Sequence, residues 1–327
     1  MRIFIFPAIV SVVAFSAVFA WGGLSAFFLV VLLTILETTL SFDNAVVNAK
    51  VLKRMTPQWQ SRFLTWGILI AVFGTRFIFP IFIVAAAAWL SPYAVTMLAF
   101  YDPVAYGERL ADARVAISAF GSAFLLLVSL KYFFNKRKTV HWIDMIERHL
   151  SRWGGIEAIE IALVLAVLLG CAFLVPAEAA TLLIAGIIGV VLFIMIEGIA
   201  QSFEMETGSA VAVGGAALFV YLNVLDSAFS LDGVIGAFAI TSSLPTIIVG
   251  LGIGALFVRT FTVYLVRAKT LETLRYLEHG AHWAIFGLAL SMLFGIFVHV
   301  PEAITGLIGL VFIVFAYISS RREMAAQ

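Results

Sequence analysis

Long apolar stretches, broken at fairly regular intervals by Pro, Gly and charge clusters, set the pattern of this 327-residue chain. Ten of them approach the ~20 residues that a bilayer-crossing helix requires. Their approximate limits are 3–21, 24–48, 63–90, 113–134, 156–175, 180–200, 210–239, 245–266, 281–299 and 302–320. Composition agrees: 63% of residues are hydrophobic and 12% charged, against about 45–50% and about 25% in soluble domains. The expected fold is therefore all-α, a polytopic transmembrane bundle of about ten helices.

Basic residues orient it. Lys50, Lys53, Arg54 and Arg62 follow the second stretch; Lys131, Lys136, Arg137, Lys138, Arg148 and Arg152 follow the fourth. Arg267, Lys269 and Arg275 follow the eighth, and Arg321 and Arg322 the tenth, while the alternate connections hold almost none. Short loops rich in Lys and Arg stay cytoplasmic, so both termini are expected inside, in a bacterial inner membrane. The connection after the sixth stretch, with Glu204 and Glu206, lacks this basic signal. Met1-Arg2 and the apolar run to Ala20 have the outline of a signal peptide. Because Trp21-Gly22-Gly23 leads straight into another apolar stretch, a retained first helix in a tight hairpin is the better reading.

One phrase occurs twice within apolar sequence. Glu37 is followed by Ser41, Asp43 and Asn44; Asp226 is followed at the same intervals by Ser230, Asp232 and Gly233. A carboxylate at the centre of a membrane helix costs about 2.5–3.5 kcal/mol, which marks such residues as an ion or proton pathway. The second stretch runs outward to inward and the seventh inward to outward, so the copies are antiparallel. A second correspondence follows each phrase, with Gly67 and Arg76 nine positions apart, as are Gly250 and Arg259. Stretches 2–4 and 7–9 are thus expected to form an inverted-topology repeat. The implied division is 1–23, a first helix; 24–134, the first repeat; 135–209, a cytoplasmic loop and connecting helices; 210–300, the second repeat; and 301–327, a last helix and tail.

Helical geometry limits the site. Glu37, Ser41 and Asn44 share one stripe, whereas Asp43 lies about 120° away and about 9 Å along the axis. One straight helix cannot bring both carboxylates to a single cation. Either the helix unwinds around Ser41–Asn44, or each acid meets one from the antiparallel copy, Glu37 level with Asp232 and Asp43 with Asp226. Glu37, Asp43, Asn44, Asp226 and Asp232 are the candidate metal ligands, with Ser41, Ser230, Arg76 and Arg259 in support. Asn48 and Asn223 add further oxygens. Carboxylate, amide and hydroxyl groups suit a hard divalent cation such as Mn²⁺, Ca²⁺ or Mg²⁺. Four acids against two arginines leave two negative charges for a divalent ion or protons to neutralise.

Plainer readings stand beside this one. Asp43 and Asp232 are also good helix caps. Arg76 reads at least as readily as a structural partner of Asp43 or Glu37. Arg259, nearer a span end, reads as a snorkelling side chain. Glu197 with Gln201, His282 and His299 read as interfacial, and Glu157 with Glu160 as helix-dipole partners. The single cysteine, Cys171, rules out an intrachain disulfide and thiolate clusters. No basic tract exceeds Lys136-Arg137-Lys138, which argues against nucleic acid. No phosphate loop or nucleophile–base arrangement suggests an enzyme.

The two phrases, together with Gly236-Ala-Phe-Ala-Ile-Thr241, Arg259 and Tyr276-Leu277-Glu278-His279-Gly280, resemble the TerC family of integral membrane proteins, named for tellurium resistance. The resemblance covers roughly residues 24–90 and 210–320, and Gly233 departs from a Ser common in the family. It implies metal-ion homeostasis, with manganese export foremost; exchange for protons on the same acids is the expected coupling. No cofactor is expected; the divalent cation is cargo, and the lipid bilayer, cation and protons are the partners. A membrane scaffold of a metal-stress or tellurite-resistance complex, or an assembly factor, is the alternative.

Overall fold

A computed structural model describes residues 2–136, 138–156, 158–205, 211–298 and 300–326; within its helices, side chains including Gln201, Glu204, Leu231 and Asp232 lie outside the description. Arg137, Glu157, Glu206 and His299 lie outside it altogether. Among the described residues the chain is helical, without strands. Among the described residues, six helices are long and apolar enough to cross a membrane, or seven if one bent pair counts as a single span. This is the architecture of an integral membrane protein.

The first element, α1 (Ile5–Leu40), is two helices meeting at Gly23, whose φ of 67° and ψ of −163° interrupt the helix. Only glycine enters that region without steric cost. Ring packing shows that the chain doubles back there: Phe15 and Phe27 lie 6.0 Å apart, and Phe4 and Phe42 both abut Phe261, at 5.2 and 5.6 Å. A straight 36-residue helix would instead span about 54 Å.

The predicted stretch 24–48 does not remain one helix. It breaks at Ser41, beyond which α2 (Phe42–Leu52) begins. Stretch 63–90 is also compound: α3 (Pro57–Leu69), a π-helix (Ile70–Ile78) and α4 (Phe79–Ala88) follow one another, with a 48° bend between Gly67 and Ile70, where the π-helix begins. Pro80 has no N–H to continue an α-helical ladder, and the amide of Phe79 reaches back five residues to Gly74. The connection 91–112 holds two short helices, α5 (Pro92–Tyr101) and α6 (Pro103–Asp112), each with proline in its first turn. Their caps are Ser91 and Asp102, which accept from the amides of Ala94 and Ala105 at 3.2 and 3.1 Å.

Next come α7 (Arg114–Phe133), α8 (Asp144–Trp153), α9 (Ile159–Leu174), α10 (Ala179–Met205) and α11 (Val211–Ile240). The chain ends with α12 (Leu244–Arg267), the single turn α13 (Thr270–Thr273), α14 (Leu277–Gly295) and α15 (Glu302–Ala326). Apolar α9 has only 16 residues, and α14 is not among the helices that qualify as candidate spans.

Helix α7 sits centrally, packed on α10 and α14, and α15 packs on α14. The second half of α1 lies along α12, where small residues permit close approach. A Cβ on Gly250 would stand 2.6 Å from Leu33 Cβ, and one on Gly254 2.5 Å from Glu37 Cβ. Thr34 Oγ1 donates to the Gly250 carbonyl at 3.1 Å, which fixes the register of that contact.

Candidate ion site

Glu37 is buried near the end of α1, at 2% exposure. Its Oε1 accepts from Arg76 Nη2 and, at 3.0 Å, from Ser41 Oγ. Arg76 reaches it from the π-helix, with Nη1 held on the Ala71 carbonyl at 2.6 Å. The other oxygen, Oε2, turns toward α11: a Cβ on Gly233 would lie 3.1 Å from it.

Asp43 follows the break, in the first turn of α2. Its Oδ1 accepts the Asn44 amide at 2.8 Å, while Oδ2 faces Gly309 of α15. No cationic side chain pairs with Asp43 among the described residues. Glu37 and Asp43 line one small cavity of about 30 Å³, together with Leu40, Phe229, Gly233 and, from α15, Thr305, Gly306 and Gly309. The minimum for one water is about 10–15 Å³, so the space suits a water or two, or one cation stripped of most of its shell.

A second polar cluster lies alongside. Asp226 of α11 accepts Asn44 Nδ2 at 2.7 Å and Arg259 Nη2 at 3.3 Å. The guanidinium also donates to Asn223 Oδ1 and to the Phe63 carbonyl, each at 3.2 Å, and lies 4.1 Å over the Phe63 ring. Asn44 therefore joins the clusters, through its main chain to Asp43 and its side chain to Asp226. Three buried oxygens of these segments, Asn44 Oδ1, Asn48 Oδ1 and Ser230 Oγ, have no hydrogen-bond partner among the described residues. Buried oxygens in that state call for a water or an ion.

Arg259 is 2% exposed and meets its acceptors inside the protein, which corrects the snorkelling reading. His282 is not interfacial either: it is 5% exposed, stacked on Tyr132 at a 3.6 Å centroid distance. Glu197 pairs with Lys131 at 2.8 Å. Asp232 lies on α11, and its side chain is outside the description. Among the described residues, no group of three or more His, Cys, Asp or Glu side chains is placed to hold a metal. The carboxylates instead divide, with Glu37 and Asp43 at the cavity and Asp226 in the neighbouring cluster.

A family model described as "Protein of unknown function (DUF475)" matches residues 42–326. The chain belongs to that family. No curated protein and no solved structure matches this DUF475 chain. The matched region opens at the first residue of α2, so it contains Asp43, Asn44, Arg76, Asp226 and Arg259, and it leaves out Glu37 and Ser41.

Two features of this DUF475 chain escaped the sequence reading. The cavity wall comes from α15, where Thr305-Gly306-x-x-Gly309 is a small-residue signal easily taken for ordinary helix packing. The other is Glu147 of α8, which is fully buried. It forms an ion pair with Lys138 Nζ at 2.7 Å and accepts from His279 Nδ1 at 2.8 Å and Trp283 Nε1 at 3.0 Å. Burial alone would raise its pKa, but the bonds from His279, Lys138 and Trp283 outweigh it and hold Glu147 below the usual carboxylate range. Burial likewise lowers Lys138, against the pull of Glu147.

Proposed function

We propose that this DUF475 protein is a secondary transporter of a hard divalent cation, with Mn²⁺ as the favoured cargo, exported in exchange for protons. The observation that carries the reading is the small cavity shared by Glu37 and Asp43, where Asp43 faces no cation among the described residues. A buried carboxylate without a counter-charge is costly as a bare anion, so a proton or a metal cation occupies it. Those two occupants exclude one another, which is the essence of exchange. Arg76 and Arg259 neutralise Glu37 and Asp226; Asp43 and Asp232 then supply the two charges that balance a divalent ion.

The inverted repeat is part of this proposal. In each half an acid of the phrase pairs with the arginine of the following span, Glu37 with Arg76 and Asp226 with Arg259. Helix α1 packs on α12 while α11 packs on the π-helix and α3, the exchange expected of two interlocked repeats. Rocking of one half against the other would open the site to alternate sides. Ten spans, cytoplasmic termini and a bacterial inner membrane complete the reading, which the TerC-like phrases support.

Purified protein in liposomes should move Mn²⁺, and both Asp43→Asn and Asp232→Asn should abolish the flux. Unimpaired transport by both variants would sink the proposal. A second reading has its own support, since two of the acids are consumed by arginine pairs. On that reading the chain is a membrane scaffold whose acids only tie helices together. The charge-swapped pair Glu37→Arg with Arg76→Glu would then keep its cellular phenotype, and metal would not affect it.

A further inference from the structure

Helix α8 turns an apolar face away from the protein. Met145 and Trp153 are 76% and 53% exposed, and Ile146 and, just past the helix, Ile156 are exposed as well. At about 100° per residue, Met145, Ile146, His149 and Trp153 fall within one arc of about 100°. His149 adds little polarity to that arc, because its Nδ1 is held on the Met145 carbonyl at 2.8 Å. The other side of the helix carries Glu147, buried against His279 and Trp283 of α14. The inward face thus centres on a charge and the outward face is apolar, the reverse of a helix that covers a water-soluble core.

The neighbours of that face say what covers it. Beyond its carboxyl end α8 leads through Ile156 into α9, where Val167, Leu169 and Phe173 are exposed. Just before α8, Trp142 abuts Phe312 of α15 at 6.5 Å, and Phe315 and Ile318 of that helix are exposed. Apolar helix surfaces of this kind face lipid in a membrane protein. Arg148 and Arg152 stand one turn apart at the edge of the apolar arc, both exposed, with Arg148 bonded to Asp144 at 2.8 Å. A tryptophan and basic side chains bordering an apolar face are the marks of a helix lying in the plane of the lipid headgroups. We propose that α8 is an interfacial helix, its Met145–Trp153 face set at the boundary between phospholipid headgroups and acyl chains. The bilayer surface is then its partner, and Glu147 fastens the opposite face to the bundle.

The test uses the full chain in liposomes of phosphatidylcholine and phosphatidylglycerol, with the buried Cys171 replaced. Cys171→Ala is the first background, and Cys171→Val serves should the smaller residue prevent folding. A nitroxide is attached at Met145→Cys, at Trp153→Cys or, as the reference, at Thr273→Cys, an exposed position on the turn α13. Its relaxation by oxygen, which concentrates in lipid, is compared with relaxation by a water-soluble nickel chelate. The oxygen-to-nickel ratio should be severalfold higher at positions 145 and 153 than at 273. Equal ratios at all three positions would place α8 in water and overturn the proposal. Shielding of positions 145 and 153 from both reagents would also overturn it, since a second copy of the chain rather than lipid would then cover the face.

Discussion

Arg259 and Asp226 offer the sharpest energetic test of the interior. Their charged atoms lie 3.3 Å apart, with side chains only 2% and 4% exposed. At an effective dielectric constant of about 20, that separation corresponds to an attraction of about 5 kcal/mol. Desolvation offsets much of it, so the intact pair adds little net stability, whereas breaking it by removing one partner costs about 3–5 kcal/mol. Arg259→Gln should be the worse single change, because it strands Asp226 and also withdraws the donor from Asn223 Oδ1 and the Phe63 carbonyl. Asp226→Asn leaves the guanidinium with those two acceptors and the Phe63 ring. The double variant should lose less than the sum of the singles, by about 2 kcal/mol or more. Reversible unfolding in mixed micelles, followed by circular dichroism for all four proteins, measures that coupling. A coupling under about 0.5 kcal/mol would refute the pair as an energetic unit, and with it the charge balance assigned to the site.

Gly306→Ala should destabilise by about 1–3 kcal/mol, since a Cβ there would overlap Leu40 Cδ2; Leu40→Ala should restore much of the loss, read as recovery of the melting temperature. At Glu147 the sign of the pH effect is fixed by its depressed pKa. Its stabilisation is full above the unfolded value of about 4.5 and drains away as pH falls below it. Glu147→Gln should therefore be less stable than wild type at neutral pH and show a flatter loss between about pH 4.5 and 3. Melting curves across that range, with equal slopes for both proteins, would contradict the assignment.

Charged residues in apolar sequence were the legible part of this chain. Glu37, Asp43, Arg76, Asp226 and Arg259 stood out because an unexplained charge in a membrane span is expensive. The break at Ser41 is one of the two arrangements that helical geometry allowed for the acids, although neither Pro nor Gly stands there to mark it; beyond it Asn44 Nδ2 reaches Asp226. Arg259 was misjudged because distance to a helix end says nothing about which way a side chain turns. It turns inward, where Asp226, Asn223 and the Phe63 carbonyl supply acceptors that lipid does not. Glu147 was invisible for the opposite reason, since one glutamate in a polar connection is unremarkable until α14 brings His279 and Trp283 against it.

The cavity beside Asp43 has its floor near residue 40 and its roof near residue 306. During synthesis these parts enter the bilayer at opposite ends of the process, because the chain emerges from its amino end. Arg76 arrives soon after Glu37 and neutralises it early. Asp43 must wait for α15, and until then its flank lies open. A ribosome halted before residue 302 would therefore leave a chain with its arginine pairs able to form and the cavity beside Asp43 without its α15 wall. Helix α15 is thus the last of these walls to be made, and the surroundings of Asp43 are completed only with it.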